Sequence, residues 1–301
     1  MTRNLNHPIK VGPRPSQVLA AFFFLIASIP AGAADDSGPI VLGAPIELAS
    51  VGTPDLRSVD AAPDSPRDIL RRAFANQFNT SLTSDIELVM HNQRGQTHRR
   101  RFDAAQKLID GRVHSLGRLT YPDYLRDMSI LQIEEADRSH NAFVYLPSMN
   151  RIRRITTYQR GDAFFGTDVT YEDLEKRYVE HYEIVDFQSD HLDGEPVFVI
   201  RTRPLRDVAY AEAVFTIARS DDSLLRVDHL KVGADEPYRS LWVHRGSMIK
   251  ANGHTLHTRI TVENRSRKTR TEITYRDLQV DPKISDRLFS VRTLEQRVKI
   301  R

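Results

Sequence analysis

The chain has 301 residues, of which 40% are apolar and 28% charged, enough for one large core or two small ones. It contains no cysteine, which excludes disulfides, thiolate metal sites, a cysteine nucleophile and the modified cysteine of a lipid-anchored protein. The net charge of +3 equals the contribution of Arg3, Lys10 and Arg14 in an acid-free leader. The rest of the chain is therefore neutral and lacks the positive surplus that a nucleic-acid partner needs.

The three leader cations precede an apolar run from Val18 to Ile29 that includes Phe22-Phe23-Phe24-Leu25-Ile26. Pro30 ends the run, and Ala31-Gly32-Ala33 supplies the small residues a signal peptidase reads. The run is shorter than the roughly 20 residues of a membrane span. Residues 1–33 are therefore expected to be a signal peptide, with an uncleaved anchor as the alternative reading. The protein is expected in the periplasm, soluble and without lipidation. Residues 34–63 carry prolines at 39, 45, 54 and 63 and no periodic pattern, as in a flexible linker. Within them Ile40-Val41-Leu42 and Pro45-Ile46-Glu47-Leu48 have the composition of an edge strand. The folded domain is expected over 64–301.

That domain begins with a helix signal. Pro66 follows Ser65, and Ile69, Leu70, Ala73, Phe74 and Phe78 recur at spacings of three and four, with Arg67, Arg71 and Arg72 on the other face. Strand patterns follow. Ile86, Leu88 and Met90 alternate with Glu87, Val89 and His91, and turns at 93–96 and at Asp110-Gly111 flank a polar return strand over 98–107. Val113 to Tyr121 comes next. Later hairpins turn at Leu192-Asp193-Gly194, at Ser220-Asp221-Asp222 and at Arg265-Ser266-Arg267. The last joins a strand carrying Leu256, Thr258, Ile260 and Val262 on one face to one carrying Thr269, Thr271, Ile273 and Tyr275. A second short helix is expected around 171–178. About 11 antiparallel strands with a covering helix predict a mainly β, α+β domain: a large curved sheet or unclosed barrel, its concave side plugged by the helix near residue 70.

Three segments carry a resemblance. They are Phe143-Val144-Tyr145-Leu146-Pro147 with Arg151-Ile152-Arg153-Arg154-Ile155; Gly161-Asp162-Ala163-Phe164-Phe165-Gly166-Thr167-Asp168 with Tyr171-Glu172-Asp173-Leu174; and Leu288-Phe289-Ser290 with Leu294-Glu295. Together they resemble the LolA-like family of outer-membrane lipoprotein-sorting proteins, in the subgroup associated with RND/MMPL-type exporters. The resemblance spans roughly 65–301, and Gly166, Thr167, Asp168, Tyr171, Glu172 and Asp173 are its specific part. It implies a LolA/LolB-like unclosed β-barrel with a helical lid and an apolar cavity. It also implies a periplasmic carrier of lipid, lipoprotein acyl chains or another hydrophobic ligand, working between membranes or with an exporter. No position aligns with the gating arginine of the lipoprotein chaperone, so a free lipid or small hydrophobic molecule fits as well as lipoprotein cargo.

Motifs for covalent chemistry are missing. There is no Gly-x-Ser-x-Gly elbow, no His-Glu-x-x-His helix and no glycine-rich phosphate loop. His254 and His257 lie three apart on a strand, on opposite faces. Asp168, Glu172 and Asp173 could hold a divalent cation, but Thr170 and Asp173 have capping-box spacing, which suits a helix start better. No catalytic residue, metal or cofactor is expected. The basic runs 99–101, 151–154 and 265–270 suit hairpin tips that discourage edge pairing; Arg151, Arg153 and Arg154 also suit transient contact with anionic lipid headgroups. Phe164, Phe165 and Trp242, with Leu88 and Met90 on the first strand, are the candidate cavity residues. Two other readings stay open: an envelope adaptor that binds an exporter through its surface, and an exported hydrolase with a noncontiguous site.

Overall fold

A computed structural model describes residues 65–76, 80–296 and 298–300. The expected signal peptide, the linker and the Phe78 position lie outside these residues.

Helix α1, Pro66–Ala75, starts where the sequence places it. The Ser65 Oγ caps the Asp68 N–H at 3.2 Å, proline occupies the first turn, and Ile69, Leu70, Ala73 and Phe74 are buried. Arg72 makes a two-point contact with Asp222, Nε to Oδ2 at 2.7 Å and Nη2 to Oδ1 at 3.2 Å, which fixes the helix on a distant turn.

The strands are β1 Leu82–His91, β2 Thr97–Ile109, β3 Arg112–Tyr121, β4 Ser129–Glu134, β5 His140–Leu146 and β6 Arg151–Ile155. After a long connection come β7 Tyr182–Leu192, β8 Glu195–Pro204, β9 Glu212–Ala218, β10 Leu224–Leu230 and β11 Arg239–Val243. The series ends with β12 Met248–Ala251, β13 His254–His257, β14 Arg259–Asn264 and β15 Thr269–Val280. Thirteen of them form one antiparallel sheet in the order β6-β5-β4-β3-β2-β1-β15-β14-β11-β10-β9-β8-β7, and β12 and β13 form a separate hairpin. Strands β6 and β7 end the sheet without pairing to each other, so the barrel is unclosed.

The sheet is strongly curved. A single cavity touches Ile130 of β4 and Leu241 of β11, six strand spacings apart, or about 29 Å across a flat sheet. Register shifts near Ser84, at Arg101/Phe102, near Val185 and near Leu225 mark bulges that bend the strands.

The two larger cores lie on opposite faces, and a small third one joins Val197, Ala218 and Leu225. On the concave face α1 packs with Leu88, Phe102, Leu119, Ile200, Phe215, Val262 and Ile273. Phe74 meets Phe215 edge-on at 5.1 Å. On the convex face Ala105, Leu116, Leu131 and Tyr145 are covered by Leu288, Phe289, Leu294 and Ile300. The C-terminal segment is held there by buried Arg118, whose guanidinium donates to the Thr293 carbonyl at 3.2 Å and to the Val298 carbonyl. Helix α2, Val291–Glu295, belongs to this cover.

Three expectations need correction. The sheet has thirteen strands rather than about 11, because short strands such as β6 are too brief to show a period. The strand expected to run through Leu256 and Val262 is broken at Thr258: β13 pairs with β12 and β14 with β11 and β15. Leu256 and His257 are accordingly both buried, at 0% and 2% exposure. The helix expected over 171–178 is a single 3-10 turn, Glu172–Leu174.

Candidate functional site

The connection from β6 to β7, residues 156–181, joins the two free edges of the sheet and carries the motif segment. Its first part is a tight loop. The Phe164 N–H donates to the Val169 carbonyl at 2.7 Å, the Thr167 hydroxyl donates to the Phe164 carbonyl at 2.7 Å, and Ala163 bridges to Thr170. Consecutive left-handed residues, Phe165 (φ 44°) and Gly166 (φ 76°), make the reversal possible. It drives Phe164 onto the concave face, where its ring stacks on Phe102 at 5.4 Å and meets Tyr171 edge-on at 5.8 Å.

Phe164 thereby borders a cavity of about 230 Å³ between α1 and the sheet. Its apolar walls include Phe74, Leu88, Phe102, Ile130, Leu241 and Ile273, and small residues Ala104 and Gly117 leave it room. Polar groups at its margin are Gln132, His257 and the stretch from Asp173 to Arg177. Burial and the Arg245 charge hold His257 at about 4, so it is neutral at physiological pH.

A second, polar cleft of about 260 Å³ lies alongside, and Asp173 and Arg177 belong to the walls of both. Its cations are Arg177, Arg206, Lys231, Arg239 and Arg267; its carboxylates are Asp168, Glu172 and Asp173. Buried Arg239 organises the floor. Its Nε donates to the Asp168 carbonyl at 3.0 Å, one terminal nitrogen lies 2.9 Å from His229 Nδ1, and the other pairs with Asp173. The Asp168 carboxylate accepts from the Thr269 and Thr271 hydroxyls, the latter at 2.9 Å. The Thr170–Asp173 capping box is present, with the Thr170 N–H donating to Asp173 Oδ2 at 2.7 Å and the Asp173 N–H donating to Thr170 Oγ1 at 3.3 Å.

Electrostatics separate the three acids near the turn. Burial is the strongest single influence on Asp173 and opposes its ionisation, but Arg239, His229, Arg177 and the Thr170 N–H together outweigh it and hold the group at about 2. Burial wins at Glu172 and Glu175 and raises both, against the opposing charge of Arg206 and, for Glu175, Arg160. Tyr210 donates to Glu172 at 3.0 Å, and Arg206 stands 3.6 Å from Glu172 and 3.5 Å from Glu175. Among the described residues no three His, Asp or Glu side chains are grouped to hold a metal ion.

The sequence candidates separate by location. Phe164 and Leu88 line the apolar cavity, and Phe165 packs at its border 6.0 Å from Phe102. Met90 is buried on β1 but is outside the cavity lining. Thr167, Asp168, Glu172 and Asp173 line the polar cleft; Gly166 shapes the loop and Tyr171 packs on Phe164. Arg151, Arg153 and Arg154 are exposed on edge strand β6, with Arg154 bonded to Asn141. Trp242, expected to face the cavity, lies on the other face. Its β11 neighbours Leu241 and Val243 point inward, and its ring lies under the Arg226 guanidinium at 3.9 Å. Sequence reasoning missed Arg177, Arg206, Arg239 and His229; charged neighbours such as Glu175, Lys176, Asp207 and Asp228 leave them without a local signal.

The fold is that of LolA-like proteins, an unclosed antiparallel barrel with a helix on its concave side. It matches the structure of a domain from Vibrio parahaemolyticus described as outer membrane lipoprotein-sorting, with a TM-score of 0.70 at 17% identity over 76% of this chain and 97% of that one. A DUF1329 family protein from Desulfovibrio piger matches with a TM-score of 0.69 at 21% identity, over 76% and 97% of the two chains. A LolA superfamily protein from Nitrosomonas europaea matches at 0.60 and 16% identity, over 75% and 98%. No curated protein matches the sequence. A family model described as "Uncharacterized protein" covers residues 111–296, more than half of the chain, and the chain belongs to that family. Among the described residues no helix is long and apolar enough to cross a membrane.

Proposed function

We propose that this protein is a non-catalytic envelope carrier that shields a lipid, an acyl chain or a similar hydrophobic ligand in the concave cavity. The observation that carries the reading is the cavity itself, a space of about 230 Å³ walled by aromatic and aliphatic side chains under α1. A space of this size is uncommon beside a close-packed core, where voids are few and small. The volume lies just below the roughly 300–1,000 Å³ of drug-sized pockets. It suits one acyl chain, or the end of one, rather than a multi-chain lipid. Burial of each methylene contributes about 0.8 kcal/mol, so affinity grows with chain length until the cavity is full. Release then needs a membrane or an RND/MMPL-type exporter that binds the ligand or the empty protein better, because equilibria shift only through differential affinity. The lipoprotein-sorting description of the Vibrio domain supports the same reading.

The test is native mass spectrometry of the full chain purified without detergent, before and after organic extraction. A co-purifying species of lipid mass that extraction removes is the expected result. A ligand-free mass together with no uptake of a fluorescent fatty acid would overturn the carrier reading and favour an adaptor that works through its surface.

A further inference from the structure

Resting on the carrier reading, we infer that the polar cleft is a headgroup site, so that the ligand is an amphiphile with one acyl chain and an anionic head. The two spaces share Asp173 and Arg177 in their walls and so abut there; a chain lying in the apolar cavity with its end at these residues puts its polar group at the cleft. The cleft lining holds five basic side chains against three acidic ones. Two of those acids are already satisfied inward: Asp168 by Thr269 and Thr271, Asp173 by Arg239 and the Thr170 N–H. The third, Glu172, is raised by burial, which weakens its hold on negative charge. Lys231 and Arg267 are exposed, Lys231 bonding only the neutral Ala209 carbonyl at 2.9 Å and lying over the Tyr238 ring, and Arg206 meets its acids only at 3.5 and 3.6 Å, beyond good hydrogen-bonding distance. Their charge remains available to an incoming carboxylate or phosphate, and charge-assisted bonds to such groups are about twice as strong as neutral ones.

Delipidated full-length protein is titrated with hexadecanol, hexadecanoate and hexadecyl phosphate by displacement of a neutral naphthylamine probe. The anionic ligands are expected to bind about tenfold more tightly than the alcohol at low ionic strength, with the gap narrowing in salt. In the double variant Lys231→Gln/Arg267→Gln, whose exposed positions leave folding intact, the gap falls to about twofold and hexadecanol binding is unchanged. Arg206→Gln narrows it similarly. A preference for hexadecyl phosphate over hexadecanoate assigns the head to a phospholipid-type phosphate; parity or the reverse assigns it to a free fatty acid. Equal binding of alcohol and anions, or a gap that survives in both variants, overturns the headgroup site alone. Failure of all three ligands to displace the probe, or of the probe to bind, overturns the carrier reading and this inference with it.

Discussion

Arg239 places a terminal guanidinium nitrogen 2.9 Å from Nδ1 of His229, with both side chains buried. Guanidinium only donates, so Nδ1 must accept and the imidazole carries its proton on Nε2. The neutral form fits its surroundings: burial and the Arg239 charge hold His229 at about 3, and the Tyr210 ring stacks on it at 4.2 Å.

Replacing Arg239 removes the partner of three acceptors at once and leaves buried Asp173 with only the more distant Arg177, at 3.8 Å, as its counter-charge. Arg239→Met is expected to lose about 3–5 kcal/mol in urea unfolding. Arg239→Lys rescues little, because an ammonium cannot span the Asp168 carbonyl, His229 and Asp173 with one planar fork. A loss below 1 kcal/mol for Met, measured by the same unfolding, would contradict the role given to this residue.

Stability should fall as the solution is acidified. Burial, reinforced by neighbouring arginines, holds His140 and His229 at about 3 and His257 at about 4. The unfolded chain protonates these groups near 6.5 while the fold keeps them neutral. Their contribution is thus complete above 6.5 and is lost as pH drops towards 3–4, at about 1.4 kcal/mol per pH unit for each histidine. Glu172 and Glu175 act in the opposite sense, since their raised values favour proton uptake by the fold, but only as the carboxylate range is approached. Thermal unfolding from pH 8 to pH 5 is the measurement, and a flat profile across that range would contradict the burial of these imidazoles.

One hydroxyl holds the motif loop at two points. Thr271 Oγ1 accepts from the Asp168 N–H at 2.9 Å and donates to Asp168 Oδ2 at 2.9 Å. Thr271→Val keeps the shape and leaves a buried N–H and carboxylate oxygen unsatisfied, for about 1–3 kcal/mol. Gly166→Ala costs about 1 kcal/mol from its positive φ alone, because nothing lies within 4 Å of the added methyl. Circular dichroism melts rank the two.

Trp242 is the only tryptophan and lies on the convex face. Its emission is expected to stay unchanged when a lipid fills the cavity, whereas a tryptophan introduced by Phe164→Trp shifts. Ala104→Phe projects a ring into the same space opposite Gly117 and is expected to weaken uptake of a fluorescent fatty acid about tenfold or more by displacing methylene burial. A ligand-dependent shift of Trp242 emission in the wild-type chain would place the ligand elsewhere.

Much of this architecture was legible because local signals agreed. The α1 cap at Ser65-Pro66, the turns at Asp110-Gly111 and Asp193-Gly194, and the alternation through Ala213, Phe215 and Ile217 each specify one element without reference to the rest. Trp242 was misplaced because Leu241, Trp242 and Val243 are all apolar, so a period of two cannot tell inside from outside. The break at Thr258 was hidden for a similar reason, since the alternation of 256–263 continues across a change of partner strand. Of the polar cleft only the acidic side, Asp168, Glu172 and Asp173, was legible, as part of the motif. Its charges come from 168–177, Arg206, Lys231, Arg239 and Arg267, and only the curvature of the sheet brings them together.

The gap between β6 and β7 changes what a ligand must work against. A closed barrel can widen only by breaking a ladder of backbone hydrogen bonds. Here the girth is set across the gap by residues 156–181, which hold it through side-chain and loop contacts. The seam can therefore give way at those contacts while every strand pairing of the sheet stays intact.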